Sequence, residues 1–217
     1  TLAEALKDNQ VMTELNIAHN HLGKAGIEWD ADSDMSGVTA ISDAIPTMGA
    51  LTKLNMAANA LLTKQAGKVL ANMLKANSGL KELDVSNSGQ GLRSSDKDGP
   101  GFAQEIAAGV SANGALVKLK MGDNKLLGTE AGKALGDAIA AKTTLKELDL
   151  SSPNDYSCDV EFVQAFSVGL GANGALTSLN LADNWIGPEG AKHVAEAIKV
   201  NVSALQFDWY HFELDLN

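Results

Sequence analysis

The sequence predicts an α/β solenoid, in which short parallel strands alternate with helices and stack along one axis. One apolar pattern recurs six times in the 217 residues. Each copy is followed by a helix whose apolar residues recur three and four positions apart. A repeat of this length cannot bury its apolar face alone, so each copy must pack on its neighbours. The copies begin at Met12, Leu51, Leu80, Leu116, Leu145 and Leu176.

Each copy predicts a strand and the turn that leaves it. In the first copy the apolar residues are Met12, Leu15 and Ile17, and Asn20 marks the turn. Successive copies begin 39, 29, 36, 29 and 31 residues apart, so the basal unit has 29 residues. Repeats one, three and five carry extra residues between strand and helix, which we expect to emerge at one edge of the solenoid. Loops on one edge of a rigid scaffold often carry function.

The predicted boundaries follow from the first and last repeats. Leu2, Ala3 and Leu6 have the spacing of a helix that closes an earlier repeat. We therefore predict a solenoid over residues 1–204, made of a partial N-terminal helix and six repeats. Residues 205–217 depart from the pattern, and we predict that they form a C-terminal capping segment, with docking onto a neighbouring subunit as the alternative.

Asparagines mark both ends of the predicted helices. At the turn that leaves the strand, an amide side chain can bond the backbone of the neighbouring turn, which predicts a ladder through the stack. Ser88 and Pro153 interrupt this ladder. Asparagines at the helix ends suggest the left-handed conformation that often stops a helix. The turn residues are Asn20, Asn59, Asn124 and Asn184, and the helix ends are Asn77, Asn113, Asn173 and Asn201.

The segment from Leu176 to Ala191 shows the whole pattern, L-x-x-L-x-L-x-x-N followed by G-x-x-G-A and a helix. This pattern resembles the ribonuclease-inhibitor-like class of leucine-rich repeat proteins. Similar repeats occur in RanGAP, in innate-immune receptor repeat domains and in tropomodulin. The resemblance covers essentially residues 2–205 and implies a curved horseshoe with a parallel inner β-sheet and outer α-helices. It specifies the fold much more closely than the function.

Composition and charge limit the classes of partner that this chain is expected to bind. The formal net charge is −10, which disfavours nucleic acid and anionic membranes and favours a protein partner with a basic surface. No apolar stretch approaches the length of ~20 residues that spans a membrane. Cys158 is the single cysteine, so no intrachain disulfide can form. Disulfide-capped extracellular repeat proteins carry several cysteines, so we expect a cytoplasmic or other reducing intracellular location.

The outward residues of the strands predict a charge ladder on the concave face, because equivalent residues of parallel strands stack about 4.8 Å apart. A self-compensated ladder that keeps the sheet soluble and in register is the favoured interpretation. A binding surface with alternating charge is the alternative, although the columns contain no aromatic anchor. The charged members are Glu14, Lys53, Glu82, Asp84, Lys118, Lys120, Glu147 and Asp149.

Aromatic residues make up only 5% of the chain, so their positions are informative. Trp185 and Tyr156 fall on one predicted edge, where they form either a partner-binding patch or local packing of the inserted loops. Trp29 lies in the first insertion, and Trp209 and Tyr210 lie in the C-terminal segment. We predict these five residues as candidate protein-binding residues.

Asp30, Asp32 and Asp34 have the spacing of the first half of a calcium-binding EF-hand loop. That loop also requires glycine and glutamate where this chain has Met35 and Ile41, so the EF-hand interpretation fails. A weak calcium site and a solvated acidic loop remain, with a transition-metal site joined by His19 and His21 as a still weaker alternative. We predict no cofactor.

Nothing in the sequence indicates catalysis. No glycine-rich phosphate loop is present, and the histidines lack an evident nucleophile partner. Cys158 lies in an acidic loop, which would raise its pKa and lower its reactivity. We therefore expect a non-enzymatic protein–protein interaction scaffold. A permanent structural subunit of a larger assembly is the first alternative, and a RanGAP-like regulator of a small GTPase is the second.

Overall fold

The computed structural model describes residues 1–25, 33–152 and 158–200 and the backbone of residues 206–207. It confirms the predicted α/β solenoid. Seven short strands form one parallel sheet in chain order, and each pairs with the next. The strands are β1 (Glu14–Asn16), β2 (Lys53–Asn55), β3 (Glu82–Asp84), β4 (Lys118–Lys120), β5 (Glu147–Asp149), β6 (Ser178–Asn180) and β7 (Gln206–Phe207).

A helix follows each of the first six strands. The core lies between the sheet and the helices, where the central leucine of β2 to β6 is buried. Short 3-10 turns cover Ile45–Thr47 and Ser94–Asp96. The helices are α1 (Leu2–Leu6), α2 (Ser36–Ala44), α3 (Lys64–Ala76), α4 (Gly99–Ala112), α5 (Gly128–Ala140), α6 (Val160–Ala172) and α7 (Gly187–Val200).

The seventh strand lies inside the segment predicted to cap the solenoid. Gln206 pairs with Ser178 and Phe207 with Leu179, in the register of the preceding strands. The sheet therefore continues past residue 204. The rest of the predicted capping segment lies outside the described residues, and its role stays a prediction.

The predicted asparagine ladder at the strand exits is confirmed for the described turns. Asn59 Nδ2 donates to the carbonyl oxygens of Ile17 and Met56, at 2.8 and 3.0 Å, and its Oδ1 accepts from Asn20 N at 2.7 Å. The side chains of Asn124 and Asn184 likewise reach the preceding repeat. The shorter Ser88 donates only to Val85 O of its own turn. In repeats two, four and six, one amide side chain thus joins two turns.

The left-handed conformation predicted at the helix ends is wrong for the three described asparagines, and Asn201 lies outside the described residues. Asn77, Asn113 and Asn173 have φ values of −102°, −72° and −79°. The chain runs on in an extended form toward the next strand, so no left-handed reversal is needed. Each side-chain oxygen instead accepts from two following backbone N–H groups, while Nδ2 donates to the preceding repeat. A second ladder therefore runs along the base of the helices.

Glycines allow close approach of the backbones in two of the helix interfaces, α3 with α4 and α5 with α6. In α5 and α6 the close pair is Gly136 and Gly169, and the backbone of Gly136 occupies the space that a side chain on Gly169 would need. In α3 and α4 a side chain at Gly109 would stand 2.5 Å from the Cα atom of Ala71. Glycine at this position therefore permits backbone-to-backbone contact.

Candidate protein-interaction surfaces

The open face of the sheet, on the side away from the helices, carries the predicted charge ladder. The first residues of the strands form one outward column and the last residues form a second. In the first column Lys53 lies between two glutamates, with Nζ 3.0 Å from Glu14 Oε1 and 3.6 Å from Glu82 Oε1. Lys118 forms an ion pair with Glu147 on the next strand. The register of the parallel strands thus brings opposite charges side by side.

These ion pairs change the titration of the lysines. Hydrogen bonding to Glu14, followed by the charges of Glu14 and Glu82, raises the pKa of Lys53. The pKa of Lys118 is raised chiefly by its hydrogen bond to Glu147. Both lysines remain cationic at neutral pH. Their side chains are partly exposed, so each pair contributes little to stability.

The second outward column has a role that the sequence reasoning missed. Asn16, Asn55 and Asn180 each accept, through Oδ1, the backbone N–H two residues ahead, at 2.9 to 3.1 Å. Asp84 and Asp149 accept the equivalent N–H and also a serine hydroxyl. These Asx turns end the strands. Asparagine or aspartate as the last residue of five of the six repeat strands was the available signal.

Lys120 is the one basic residue among the described members of that column. Its Nζ lies 3.7 Å from Asp84 Oδ2 on one neighbouring strand, and Asp149 is its partner in register on the other neighbouring strand.

A shallow groove of about 250 Å³ lies over β1 to β4 and is lined by the charged and polar ladder residues. This groove is smaller than the usual small-molecule pocket of about 300–1,000 Å³. Its shape and polarity fit a protein surface better than a small ligand.

Trp185 lies on the loop edge where the strands lead into the helices. It is 71% exposed, between β6 and α7. The preceding Asn184 is fixed by its side chain, which donates to Leu150 O and accepts from Cys158 N at 2.9 Å each. The loop of repeat five therefore lies beside that of repeat six. Trp29, Tyr156, Trp209 and Tyr210 lie outside the described residues, so a patch joining them to Trp185 stays a prediction.

The predicted metal residues fall largely outside the described structure, because Asp30 and Asp32 are not described. Asp34 lies just before α2, and its Oδ1 accepts from Ser36 N at 2.9 Å. This backbone hydrogen bond lowers the pKa of Asp34. Within the described ranges, no three histidine, cysteine, aspartate or glutamate side chains are grouped to hold a metal. The structure thus gives Asp34 a role at a helix start.

Cys158 is buried in the core, with 1% of its surface exposed. Burial raises the pKa of its thiol far above the ordinary value, and the charge of Asp159 adds to the effect. The raised pKa of the Cys158 thiol was predicted from its acidic neighbours, but burial is the larger cause. The thiol is therefore held in its protonated form.

The repeat pattern and the fold agree with comparisons to known proteins. A family profile described as Leucine Rich repeat matches residues 8–28 and 173–195, which contain the turns at Asn20 and Asn184. The chain therefore contains leucine-rich repeats, and its strand–helix units resemble those of the ribonuclease-inhibitor-like class.

Two solved structures are similar to this chain. The tropomodulin C-terminal domain of Caenorhabditis elegans shares 14% identity with a TM-score of 0.55, covering 92% of this chain and 90% of that one. Leiomodin-1 Actin-Binding Site 2 shares 18% identity with a TM-score of 0.52, covering 67% of this chain and 79% of that one. At these identities the likeness establishes a shared fold. The curated protein sequences contain no significant match.

None of the helices within the described residues combines the length and apolarity needed to cross a membrane.

Proposed function

We propose that this protein is a non-enzymatic scaffold that binds a protein partner through the loop edge that carries Trp185. The observation that carries the proposal is the exposure of this indole. Trp185 is 71% exposed, although tryptophan usually buries most of its surface in a folded monomer. Tryptophan is also enriched among the residues that dominate binding energy at protein interfaces.

The backbone turn that carries Trp185 is held in place by the residue before it. Asn184 holds the backbone at this turn through bonds to two neighbouring chain segments. A rigid anchor loses little conformational entropy on binding, so more of its contact energy appears as affinity. The loop edge is therefore better suited to recognition than a mobile loop with the same residue.

The open face is the weaker candidate surface. Lys53, Lys118 and Lys120 already have carboxylate neighbours within the sheet. A partner that used these lysines would have to replace existing ion pairs. We therefore propose that the charge ladder mainly maintains the sheet and that any contact there is secondary to the edge.

The charge of the chain indicates the kind of partner. A net charge of −10 favours a protein with a basic surface. The name of the leiomodin-1 structure describes an actin-binding site, which makes actin the first named candidate to test with this chain. We further propose a reducing intracellular location, which fits the single buried thiol, and localisation of the tagged chain tests it.

Trp185→Ala tests the proposal against Val11→Ala as a matched control. Val11 is 85% exposed and lies before β1, at the other end of the sheet. Both variants and the wild type are used as bait for affinity purification and in co-sedimentation with filamentous actin. We expect Trp185→Ala to weaken retention of the specific partner by at least about tenfold, a typical hot-spot effect. Equal retention by all three proteins would exclude the edge as the binding site.

A permanent structural subunit is the second candidate, and the flank of α7 favours it. Three positions that are buried in each of α3 to α6 are less covered in α7: Ala195 is exposed, and Ala191 and Ile198 are half-buried. A subunit fixed in an assembly would cover this flank. Co-purification of a constant set of proteins through both low-salt and high-salt washes would favour this candidate. No observation on the described residues favours a GTPase regulator.

A further inference from the structure

We propose that the groove between α6 and α7, on the helix side of the solenoid, binds a basic amphipathic helix of a partner protein. This groove is separate from both the open face and the edge at Trp185. It has a volume of about 410 Å³. Its walls are mainly apolar and are formed by Val168, Gly171, Ala172, Ala197 and Val200.

Two of these wall residues are unusually exposed. Val168 is 77% exposed and Val200 is 72% exposed. The position equivalent to Val168 is Asn72 in α3 and Asp137 in α5, and both are exposed. The positions equivalent to Val200 are alanines in α3 to α6. The pair therefore adds apolar surface at positions where the preceding repeats carry polar or small side chains.

Helices α6 and α7 approach each other less closely than α5 and α6 do. Between α5 and α6, the pair Gly136 and Gly169 brings the backbones into contact. The equivalent pair between α6 and α7 is Ser167 and Ala197, which carry side chains. At Gly171 of α6 a side chain would stand 3.5 Å from the Cα atom of Ala197, an ordinary contact distance. The larger pair leaves room along the helix surface.

An unsatisfied hydroxyl lies at the floor of the groove. Ser167 is 6% exposed and lines the groove. Its Oγ has no hydrogen-bond partner in the structure. Buried polar atoms nearly always have a partner, and the exceptions call for an explanation. Because this oxygen is buried, a polar group of a bound peptide would supply the missing hydrogen bond only after a small displacement of the groove wall.

Charges around the groove favour a basic partner. Glu196 lines the groove, and Glu189 lies two helical turns before it on the same face of α7. Glu161 has the same relationship to Val168 on α6. His193 lines the groove, and its Nε2 lies 3.9 Å from Glu189 Oε1. Lysine or arginine side chains of a partner would meet these carboxylates at the rim.

The shape of the groove selects a helix as the bound element. Val168 and Ala172 are one turn apart on α6, and Ala197 and Val200 are about one turn apart on α7. The apolar strip thus runs along the helix axes. An amphipathic helix fits such a strip with apolar residues at positions i, i+3, i+4 and i+7.

The probe for this proposal is a synthetic amphipathic peptide of leucine and lysine, roughly 18 residues or five helical turns long. Its control has the same composition in scrambled order, so that the leucines do not share a face. The variant protein is Val168→Asn with Val200→Ala, which restores residue types found at the equivalent positions of α3. Val11→Asn changes an exposed valine far from the groove and serves as the matched variant.

We expect the amphipathic peptide to bind the wild type at near-physiological salt and to shift amide resonances of α6 and α7. The groove variant should bind at least tenfold more weakly, while Val11→Asn and Trp185→Ala should bind as the wild type does. Equal affinity for the groove variant and the wild type, or resonance shifts confined to the open face, would overturn the proposal. The result for Trp185→Ala separates this groove from the function proposed for the loop edge.

Discussion

The carbonyl oxygen of Gly136 in α5 lies where the first side-chain atom of residue 169 in α6 would stand. Because Gly169 has no side chain, the two helix backbones touch. The equivalent pair is Ala71 and Gly109 between α3 and α4. Helix spacing in this solenoid is therefore set by single small residues on the helices, in addition to the fixed distance between the strands.

Gly169→Ala should destabilise the protein by about 3 kcal/mol, because the added methyl group meets a backbone atom that cannot rotate away. Urea unfolding followed by circular dichroism measures the change. Gly114→Ala is the control, since a side chain there meets no atom within 4 Å. Similar stability losses for the two variants would contradict the close-packing explanation.

Asn59→Ala should cost about 3 kcal/mol. The buried amide bonds backbone groups of two repeats, and alanine leaves those groups unsatisfied. Asn20→Ala removes the equivalent side chain from the first repeat, where it is exposed and bonds only its own turn. That control should lose about 1 kcal/mol. Thermal unfolding of both variants checks the difference, and a larger effect at Asn20 would refute the ladder.

Lys142→Asn should stabilise the protein by about 1 kcal/mol at neutral pH. Lys142 takes the helix-end position that asparagine holds in α3, α4 and α6, and its Nζ donates to Asn113 O. Burial lowers the pKa of Lys142 below 10.5. A lysine with a lowered pKa destabilises the fold while it is charged, so this cost is present at neutral pH and disappears above the unfolded pKa.

The pH dependence of the free energy of unfolding tests the prediction for Lys142→Asn. The stability difference between Lys142→Asn and the wild type should shrink as the pH rises toward 10.5. Denaturant unfolding at a series of pH values measures it. Lys146→Asn changes an exposed lysine nearby and should show no such trend. A difference that grows with pH would mean that burial of Lys142 is not the cause.

Lys118→Glu should destabilise the sheet by about 1 to 2 kcal/mol, because it places a carboxylate between Glu82 and Glu147 on the neighbouring strands. Lys118→Gln removes the attraction without adding repulsion and should cost less. High salt should reduce the loss for Lys118→Glu, since screening acts on exposed charges. Unfolding in low and high salt checks this, and a salt-independent loss would point to packing instead.

The thiol of Cys158 should not react with a thiol reagent until the protein unfolds, because it is buried and its pKa is raised. A thiol with a raised pKa stabilises the fold below its ordinary pKa of 9.0, and that contribution falls as the pH rises further. Reaction of one thiol only after addition of urea is the expected result. Val11→Cys should react at once in the folded protein, and rapid labelling of Cys158 would contradict its burial.

The strand positions and the first asparagine ladder could be predicted from the sequence, because both depend on spacing within a repeat. Leu54 and Leu83 are buried and Asn59 bonds the preceding turn, as their places in the pattern require. The Asx turns of the second column could also have been predicted, because each requires only an asparagine or aspartate at the last residue of the strand. Asp84 and Asp149 carry both signals, since each is a charged member of the ladder and also accepts the backbone N–H two residues ahead.

The sequence by itself determined the repeat unit, the order of strands and helices and the faces that they bury, since apolar periodicity acts over a few residues. Only the tertiary structure decided how closely each helix approaches the next. Gly136 meets Gly169, whereas the equivalent positions of α6 and α7 carry Ser167 and Ala197, and each pair comes from two different repeats. The groove between α6 and α7 and the burial of Cys158 depend on such contacts between repeats, which no spacing within a single repeat specifies.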